Sequence, residues 1–397
     1  MSVAKRRETI ILLNGQGQYN VTRHFITDLA EAFAAIGYEA AGIDLTENAW
    51  VRELERQINE KNVFAFVSVN AIGIDLKVGN NALFDQLKIP LCAFLVDHPM
   101  YHIPRLTTGV NNLIVSCIDN SHLEFLRAFM KGQYTKVFIP HGAPMFDQTK
   151  NAPPFRERDI DLLFLGTYSD PERLRQNWLS LPPAVSRIYD EIMENALEPS
   201  GRTIVEIAQS VLMERGVDPE YMQHLKFWTF LEQVDRYVRA LRRNRFVGWL
   251  AKLGVRAELY GNGWEKLRLP GSQLKINSPV DFMTARQLMR RSKMVATVLP
   301  NFTEGGHERI FTSMAEGAVC LTDGNRYLER QFKDREDILF YAFNEDSVAK
   351  ALTLLEDTDL LQRIADNGRG KTARSHTWLN RAQAIADTVV RHRFFLA

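Results

Sequence analysis

Cysteine is scarce in this sequence of 397 residues: Cys92, Cys117 and Cys320 lie far apart, each within or beside an apolar, β-rich run. That spacing supports neither a disulfide framework nor a cysteine-based zinc site, and it fits buried thiols in a reducing compartment. No apolar stretch reaches the roughly 18 residues that a membrane-spanning helix needs. The opening MSVAKRRETIILLN has basic residues, but its apolar run is short and continues into a strand pattern instead of a leader. Neither sign of charge prevails, with 49 Lys plus Arg against 48 Asp plus Glu, so no global field recruits nucleic acid or an anionic membrane. Internal repeats and low-complexity tracts are also missing, which leaves no sign of a repeat architecture. The expectation is a soluble, cytoplasmic protein whose charge-dependent chemistry is local.

What the sequence does have is apolar material, 45% of its residues, enough for two substantial cores. At this length two domains are the default. Residues 8–14 form a strand pattern, 22–36 a helix and 40–45 a second strand. Runs at 63–69, 91–96, 113–117 and 137–139 read as further buried parallel strands, alternating with helical stretches such as 121–130. Residues 1–150 are therefore read as a doubly wound α/β domain, and 151–158, with two prolines and alternating charge, as a linker. A second Rossmann-like domain, 159–376, opens with the strand IDLLFLG at 160–166. Residues 170–250 hold no convincing strand and read as an insertion of three or four helices. The insertion's basic cluster, Arg239, Arg242, Arg243 and Arg245, could meet phosphates but reads first as a solvated helix face.

The second domain is organised around residues 294–323, MVATVLPNFTEGGHERIFTSMAEGAVCLTD. A strand ends at Pro300, a turn-rich loop follows, and from His307 the apolar residues Ile310, Phe311 and Met314 fall on a helical stripe until Gly317 stops it. In a strand–loop–helix unit the loop lies at the carboxyl edge of the sheet, where free N–H groups and the helix dipole favour an anion. Gly305, Gly306 and His307 sit in that loop. Beside them Glu304 and Glu308 have carboxylates that accept from sugar hydroxyls, and Arg309 has a guanidinium that neutralises phosphate. Sugar plus phosphate points to a nucleotide sugar. The competing reading makes Glu304 and Glu308 first-turn acids complementing the helix dipole. A strand at 257–260 followed by Gly261-Asn262-Gly263-Trp264 allows close backbone approach to a ligand, and Arg286 and Lys293 are further candidate phosphate contacts.

The segment 306–318, GHERIFTSMAEGA, resembles the sugar-nucleotide segment of GT-B glycosyltransferases of the glycosyl transferases group 1 family, especially the group that includes the spore-maturation CgeB-like proteins. His376-Thr377-Trp378-Leu379-Asn380-Arg381-Ala382 resembles the same group's closing motif, and Tyr260-Gly261-Asn262-Gly263-Trp264 its Tyr-Gly-x-Gly-Trp loop. Asp97-His98-Pro99, after the strand at 91–96, is similar to an Asp-x-Pro of those relatives. The resemblance implies an α/β fold of GT-B type, two Rossmann-like domains facing a cleft, with a closing helix at 377–397 that crosses back to the first domain. It implies a glycosyltransferase that moves sugar from a nucleoside-diphosphate sugar to an acceptor glycan, lipid or protein, with no metal and no cofactor. Arg309 and the N–H groups of 305–308 would stabilise the leaving diphosphate. Asp97 or His98 would serve as base in an inverting reaction, with Asn14, Gly15, Gly17, His102 and His141 along the cleft. One departure stands out. The family has two glutamates eight positions apart, and aligning on Met-Ala-x-Gly puts them at Glu304 and Thr312, so the second is missing and Glu308 or Glu316 would have to replace it.

Other readings compete. Gly15-x-Gly17 after a strand, with Asp44 at the end of the next, nearly matches a dinucleotide fingerprint, but the third glycine is Asn20. Asp97 and His98 are equally suited to capping and fixing a turn, and His141 after Pro140 divides the same way. Asp159-Ile160-Asp161 precedes a strand where a metal-binding DxD should follow one, and Gly370-Lys371-Thr372 lacks the first glycine and preceding strand of a P-loop. A GT-B sugar-nucleotide epimerase and a non-catalytic nucleotide-sugar-binding protein remain the alternatives.

Overall fold

The computed structural model describes residues 7–16, 21–130, 132, 134–145, 152–197, 201–299 and 302–396. The chain divides into two compact units, Met1–Met145 with Ser375–Ala397, and Phe146–Arg374.

The first unit alternates strands and helices: β1 (Glu8–Asn14), α1 (Val21–Ala35), β2 (Glu39–Asp44), α2 (Trp50–Glu60) and β3 (Asn62–Val69). A two-residue hairpin, β4 (Lys77–Val78) and β5 (Asn81–Ala82), precedes α3 (Leu83–Leu87), β6 (Leu91–Leu95), α4 (Ile103–Leu106), β7 (Leu113–Cys117), α5 (Ser121–Phe129) and β8 (Thr135–Phe138). Six strands pair in parallel in the order β2-β1-β3-β6-β7-β8. The central strands are continuous apolar runs because helices cover both faces, and β6 and β7 are buried throughout. The order reverses between β1 and β3, which is where an open α/β sheet leaves a crevice at its carboxyl edge.

The second unit opens with β9 (Ile160–Leu165) and four insertion helices, α6 (Pro171–Leu179), α7 (Pro183–Leu197), α8 (Ile204–Glu214) and α9 (Leu225–Lys252). It continues with β10 (Ala257–Tyr260), β11 (Leu274–Asn277), α10 (Phe282–Arg291), β12 (Ser292–Thr297), α11 (Glu308–Ala315) and β13 (Val319–Asp323). Then come α12 (Arg326–Gln331), β14 (Leu339–Tyr341), α13 (Glu345–Leu352) and α14 (Thr358–Ser375). The parallel sheet order β11-β10-β9-β12-β13-β14 is the 3-2-1-4-5-6 winding of a nucleotide-binding Rossmann domain, with its switch point between β9 and β12. At 28 residues α9 spans about 42 Å. Its last turns bring Phe246 between Phe164 and Tyr341, with ring centroids at 5.7 and 5.3 Å, so the insertion returns to cover the sheet.

The stretch read as a linker is packed into the second unit over its described part. Phe155 is buried in the core, and the Arg158 guanidinium lies over its ring while donating to the carbonyls of Pro153, Ser292 and Gly317. Gly370-Lys371-Thr372 falls inside α14, with Lys371 paired to Asp337 at 2.7 Å.

The last helix, α15 (Trp378–Leu396), joins the first unit and packs on α1. Ala143 pairs with Thr377, its amide donating to the His376 carbonyl (2.7 Å) and its carbonyl accepting from the Trp378 amide (2.8 Å). A Cβ at Gly142 would stand 2.7 Å from the Trp378 indole; only glycine lets these two segments meet. Arg381 donates to the carbonyls of His141 and Ser375, and Trp378 is buried against Phe25 and Phe94. The closing motif is thus the means by which the chain's end locks onto β8's exit. No helix among the described residues is long and apolar enough to cross a membrane.

Candidate functional site

In the second unit the carboxyl edge at the switch point is flanked by α9, a placement that no periodicity within the helix marks. Arg243 donates to the Thr167 carbonyl (3.4 Å) and Asn244 to that of Ser169 (3.1 Å), so both hold the exit loop of β9. Arg242 is buried, pairs with Asp323 at the end of β13 (3.5 Å) and stacks over Phe343. Arg239, one turn earlier, is close enough to His307 to act on its charge. The expectation of a solvated basic face is therefore corrected for three of its four members: Arg239, Arg242 and Arg243, at helical spacing, run along the sheet edge. An alternation of carboxylate and aromatic partners on β13 and beyond is not visible in a helix's own periodicity.

The loop from β12 to α11 is built as expected, and its side chains are committed locally. Asn325 donates to the carbonyls of Phe302 (3.0 Å) and Gly305 (2.9 Å), fixing the loop on α12. Gly305 and Gly306 are buried. Glu304 pairs with Arg330 (3.4 Å) and Arg326 (3.8 Å) of α12. Glu308 is 7% exposed; its carboxylate touches His307 and accepts from the Arg309 amide (2.7 Å), a first-turn acid at the helix N-terminus. Burial, with Arg309 and Arg239 nearby, pulls the His307 imidazole below its ordinary range against the opposing pull of Glu308. Arg309 keeps 31% of its side chain in solvent.

Replacement of the missing glutamate by Glu316 is excluded by its place: at the far end of α11 it is buried between Arg286 and Arg290. That pairing also removes Arg286 from the phosphate contacts. Lys293 is removed too, since it pairs with Asp161 (2.6 Å) at the opposite edge of the sheet. Asp159 likewise pairs with Arg291, and Asp161 with Arg256, so the DxD carboxylates are spent on cations. Thr312 is 1% exposed and its hydroxyl has no hydrogen-bond partner among the described residues.

Gly261 and Gly263 border a pocket of about 840 Å³ with Thr167, Tyr168, Arg173 and Asn277. The reason for the first glycine differs from the expected one. A Cβ at Gly261 would lie 2.0 Å from the Gly166 carbonyl oxygen, so the close approach is to the chain itself. Trp264 donates its indole N–H to the same carbonyl (2.6 Å), locking the exits of β9 and β10 together.

In the first unit, Gly15 lines a smaller pocket of about 510 Å³ with Gln16, Thr46, Ile72, Asp75 and Arg105, at the switch point between β1 and β3. Asn14 is nine-tenths buried, with no partner for Oδ1 among the described residues. Gly17 lies outside the described residues. Asp44, the acid of the dinucleotide fingerprint, is engaged. Burial pushes its carboxyl up, but bonds from Thr46 and the Arg23 ion pair hold it below the ordinary value.

At the exit of β6, Asp97 is half-buried and accepts from Asn70 Nδ2 (3.0 Å). His98 caps the turn that follows: its Nδ1 accepts from the Met100 amide (3.1 Å), and its ring lies 4.4 Å from that of His122. A nitrogen used that way is not available as a base. His102 is buried, with no partner for Nε2 among the described residues. Desolvation pushes it down to about 4, helped by Arg105 and opposed by Asp97. His141 is buried among Phe25, Phe94 and Trp378, away from the pocket's lining.

Residues 241–387, from the second half of α9 into α15, match the family described as glycosyl transferase-like. Among solved structures the chain is similar to sucrose-phosphate synthase from Thermosynechococcus elongatus, with 11% identity, 99% of this chain and 100% of that one covered, and a TM-score of 0.51. It is similar to HepE from Anabaena, solved with UDP-glucose, at 14% identity, 96% and 99% coverage and a TM-score of 0.51. The DNA-modifying enzyme β-glucosyltransferase, solved with and without UDP-glucose, gives 11% identity, 96% and 99% coverage and a TM-score of 0.52. No curated protein sequence matches. The fold is GT-B. With the matched segment, it defines the chain as a transferase of the GT-B type.

Proposed function

We propose that the chain transfers a sugar from a nucleoside-diphosphate sugar, with the second unit holding the donor and the first unit the acceptor. The observation that carries this reading is the meeting of the α11 N-terminus, Arg309 and the α9 arginines at the switch-point edge of a 3-2-1-4-5-6 sheet. A departing diphosphate needs positive charge and N–H donors in place before the bond breaks. A uridine diphosphate sugar is the first candidate, because HepE and β-glucosyltransferase were each solved with UDP-glucose.

In the proposed step the acceptor hydroxyl gives its proton to Asp97, its oxygen bonds to the anomeric carbon, and the bond from that carbon to the diphosphate oxygen breaks. The electron pair leaves with the diphosphate, where Arg309, Arg239 and the amides of 305–308 meet it. Asp97 is preferred to His98 because His98 Nδ1 caps a turn. No metal is required by this scheme. The acceptor is left open among a glycan, a lipid and a protein.

The test is thermal stability of the purified chain with UDP, GDP, CDP, dTDP and NAD, each with and without magnesium. A ligand at 100 times its dissociation constant adds about 2.7 kcal/mol. Stabilisation by one nucleoside diphosphate without metal is the expected result. Stabilisation by NAD alone would sink the proposal and return attention to Gly15.

A further inference from the structure

We infer that Asn70 is a positioning residue for Asp97, an inference that rests on Asp97 being the base of the proposed transfer. Asn70 follows the last residue of β3 and sits in the left-handed region at φ 53°, with Ala71 also left-handed at φ 56°. Two consecutive non-glycine residues in that region are costly and persist only where surrounding contacts hold them. The contacts here converge from three segments. The Asn70 amide donates to the Phe94 carbonyl of β6 (2.8 Å), and its Oδ1 accepts from the Val96 amide (2.9 Å). Its Nδ2 donates to Asp97 Oδ2 (3.0 Å), and its own carbonyl accepts from Arg105 Nη1 (2.8 Å).

The charge arrangement follows from that geometry. Asn70 is the one hydrogen-bond partner of Asp97 among the described residues. It is neutral, so it orients the carboxylate without pairing away its charge, and it leaves Oδ1 to accept a proton. An arginine bonded directly to Asp97 would favour the ionised form strongly and weaken it as a base. Arg105 reaches this corner but is directed to the Asn70 carbonyl. Asn is also suited to the position sterically, since short polar side chains tolerate the left-handed region.

The test compares Asn70→Asp and Asn70→Gly with Asp97→Asn. Both Asn70 variants suit the left-handed backbone, and Asp keeps the acceptor for Val96 while replacing the donor with a second carboxylate. Protein labelled with ¹³C at the aspartate carboxyl carbons is titrated, with Asp97 assigned from Asp97→Asn, and UDP release from UDP-glucose in water is followed across pH. In Asn70→Asp the Asp97 midpoint is expected to move up by about one unit or more, as for paired carboxylates, and the acid limb of UDP release to move with it. In Asn70→Gly release should fall about tenfold or more through lost orientation, with UDP affinity unchanged in both. An unmoved Asp97 midpoint in Asn70→Asp, or unaltered release in Asn70→Gly, overturns the inference. Full UDP release by Asp97→Asn overturns the base reading instead.

Discussion

Arg242 and Asp323 form an ion pair almost without solvent, Nη2 standing 3.5 Å from Oδ2 in residues that are 6% and 7% exposed. Burial raises the Asp323 carboxyl above its ordinary value of 3.8, against the lowering pull of Arg242 and the Leu299 amide. A raised carboxyl binds protons more tightly folded than unfolded, so its contribution to stability is fullest in acid and is lost as pH rises through the folded value. Arg242→Met should raise that value further and carry the loss towards neutrality. The expected cost is about 3–5 kcal/mol near pH 8, smaller at pH 5. Urea unfolding at the two pH values measures it, and an equal cost at both would show that the pair is not what Arg242 contributes.

Gly261→Ala sets a methyl 2.0 Å from the Gly166 carbonyl oxygen at a backbone φ of 153°. Because the obstacle is backbone, the exits of β9 and β10 have to separate, and Trp264 loses its acceptor. A loss of roughly 3 kcal/mol or more is expected, read by denaturant unfolding. Ala at Gly271, which has open space around it but φ 73°, should cost only about 1 kcal/mol.

Arg309→Ala should lower turnover by about 10²–10³ if the guanidinium meets the diphosphate. Arg239→Ala should lower it less, because Arg239 also has Asp235 as a partner at 3.7 Å. Asp97→Ala should leave UDP affinity intact. Calorimetric titration of each variant with UDP separates these roles, and weakened UDP binding in the Asp97 variant alone would reverse the assignment of donor and acceptor units.

Trp378→Ala removes a fully buried indole packed on Phe25 and Phe94 and should cost about 3–5 kcal/mol. The damage is expected in the first unit, so scanning calorimetry should show one transition lowered while UDP still protects the other.

The alternation of apolar runs with helical stripes made both parallel sheets legible, because buried parallel strands such as LCAFL have no polar face to confuse the period. The helical insertion was legible for a different reason, its apolar stripes at three- and four-residue spacing. Strand order was not, since 3-2-1-4-5-6 and its rivals share one pattern of elements. Nor was the direction of the α9 arginines, whose partners lie 76 to 81 positions away at Thr167 and Asp323. Gly261 was marked as a place of close approach, but what approaches is Gly166, and a glycine cannot name its neighbour. The carboxylates of Glu304 and Glu308 were read towards a ligand, whereas their nearest cations and amides are supplied by α12 and by α11's own first turn. Asn70 escaped notice because a left-handed residue is written in φ and not in residue type.

The first unit is assembled from both ends of the polypeptide, with α15 closing on α1 and the exit of β8. A ribosome delivers those ends in the wrong order for that unit. When residues up to Met145 have emerged, Phe25 and Phe94 still lack the indole that covers them, and they wait while the whole second unit is made. The second unit can therefore be complete before the first. A stop codon placed just after α14 would remove no residue of the second unit, yet its effect would fall on a sheet begun more than three hundred codons earlier.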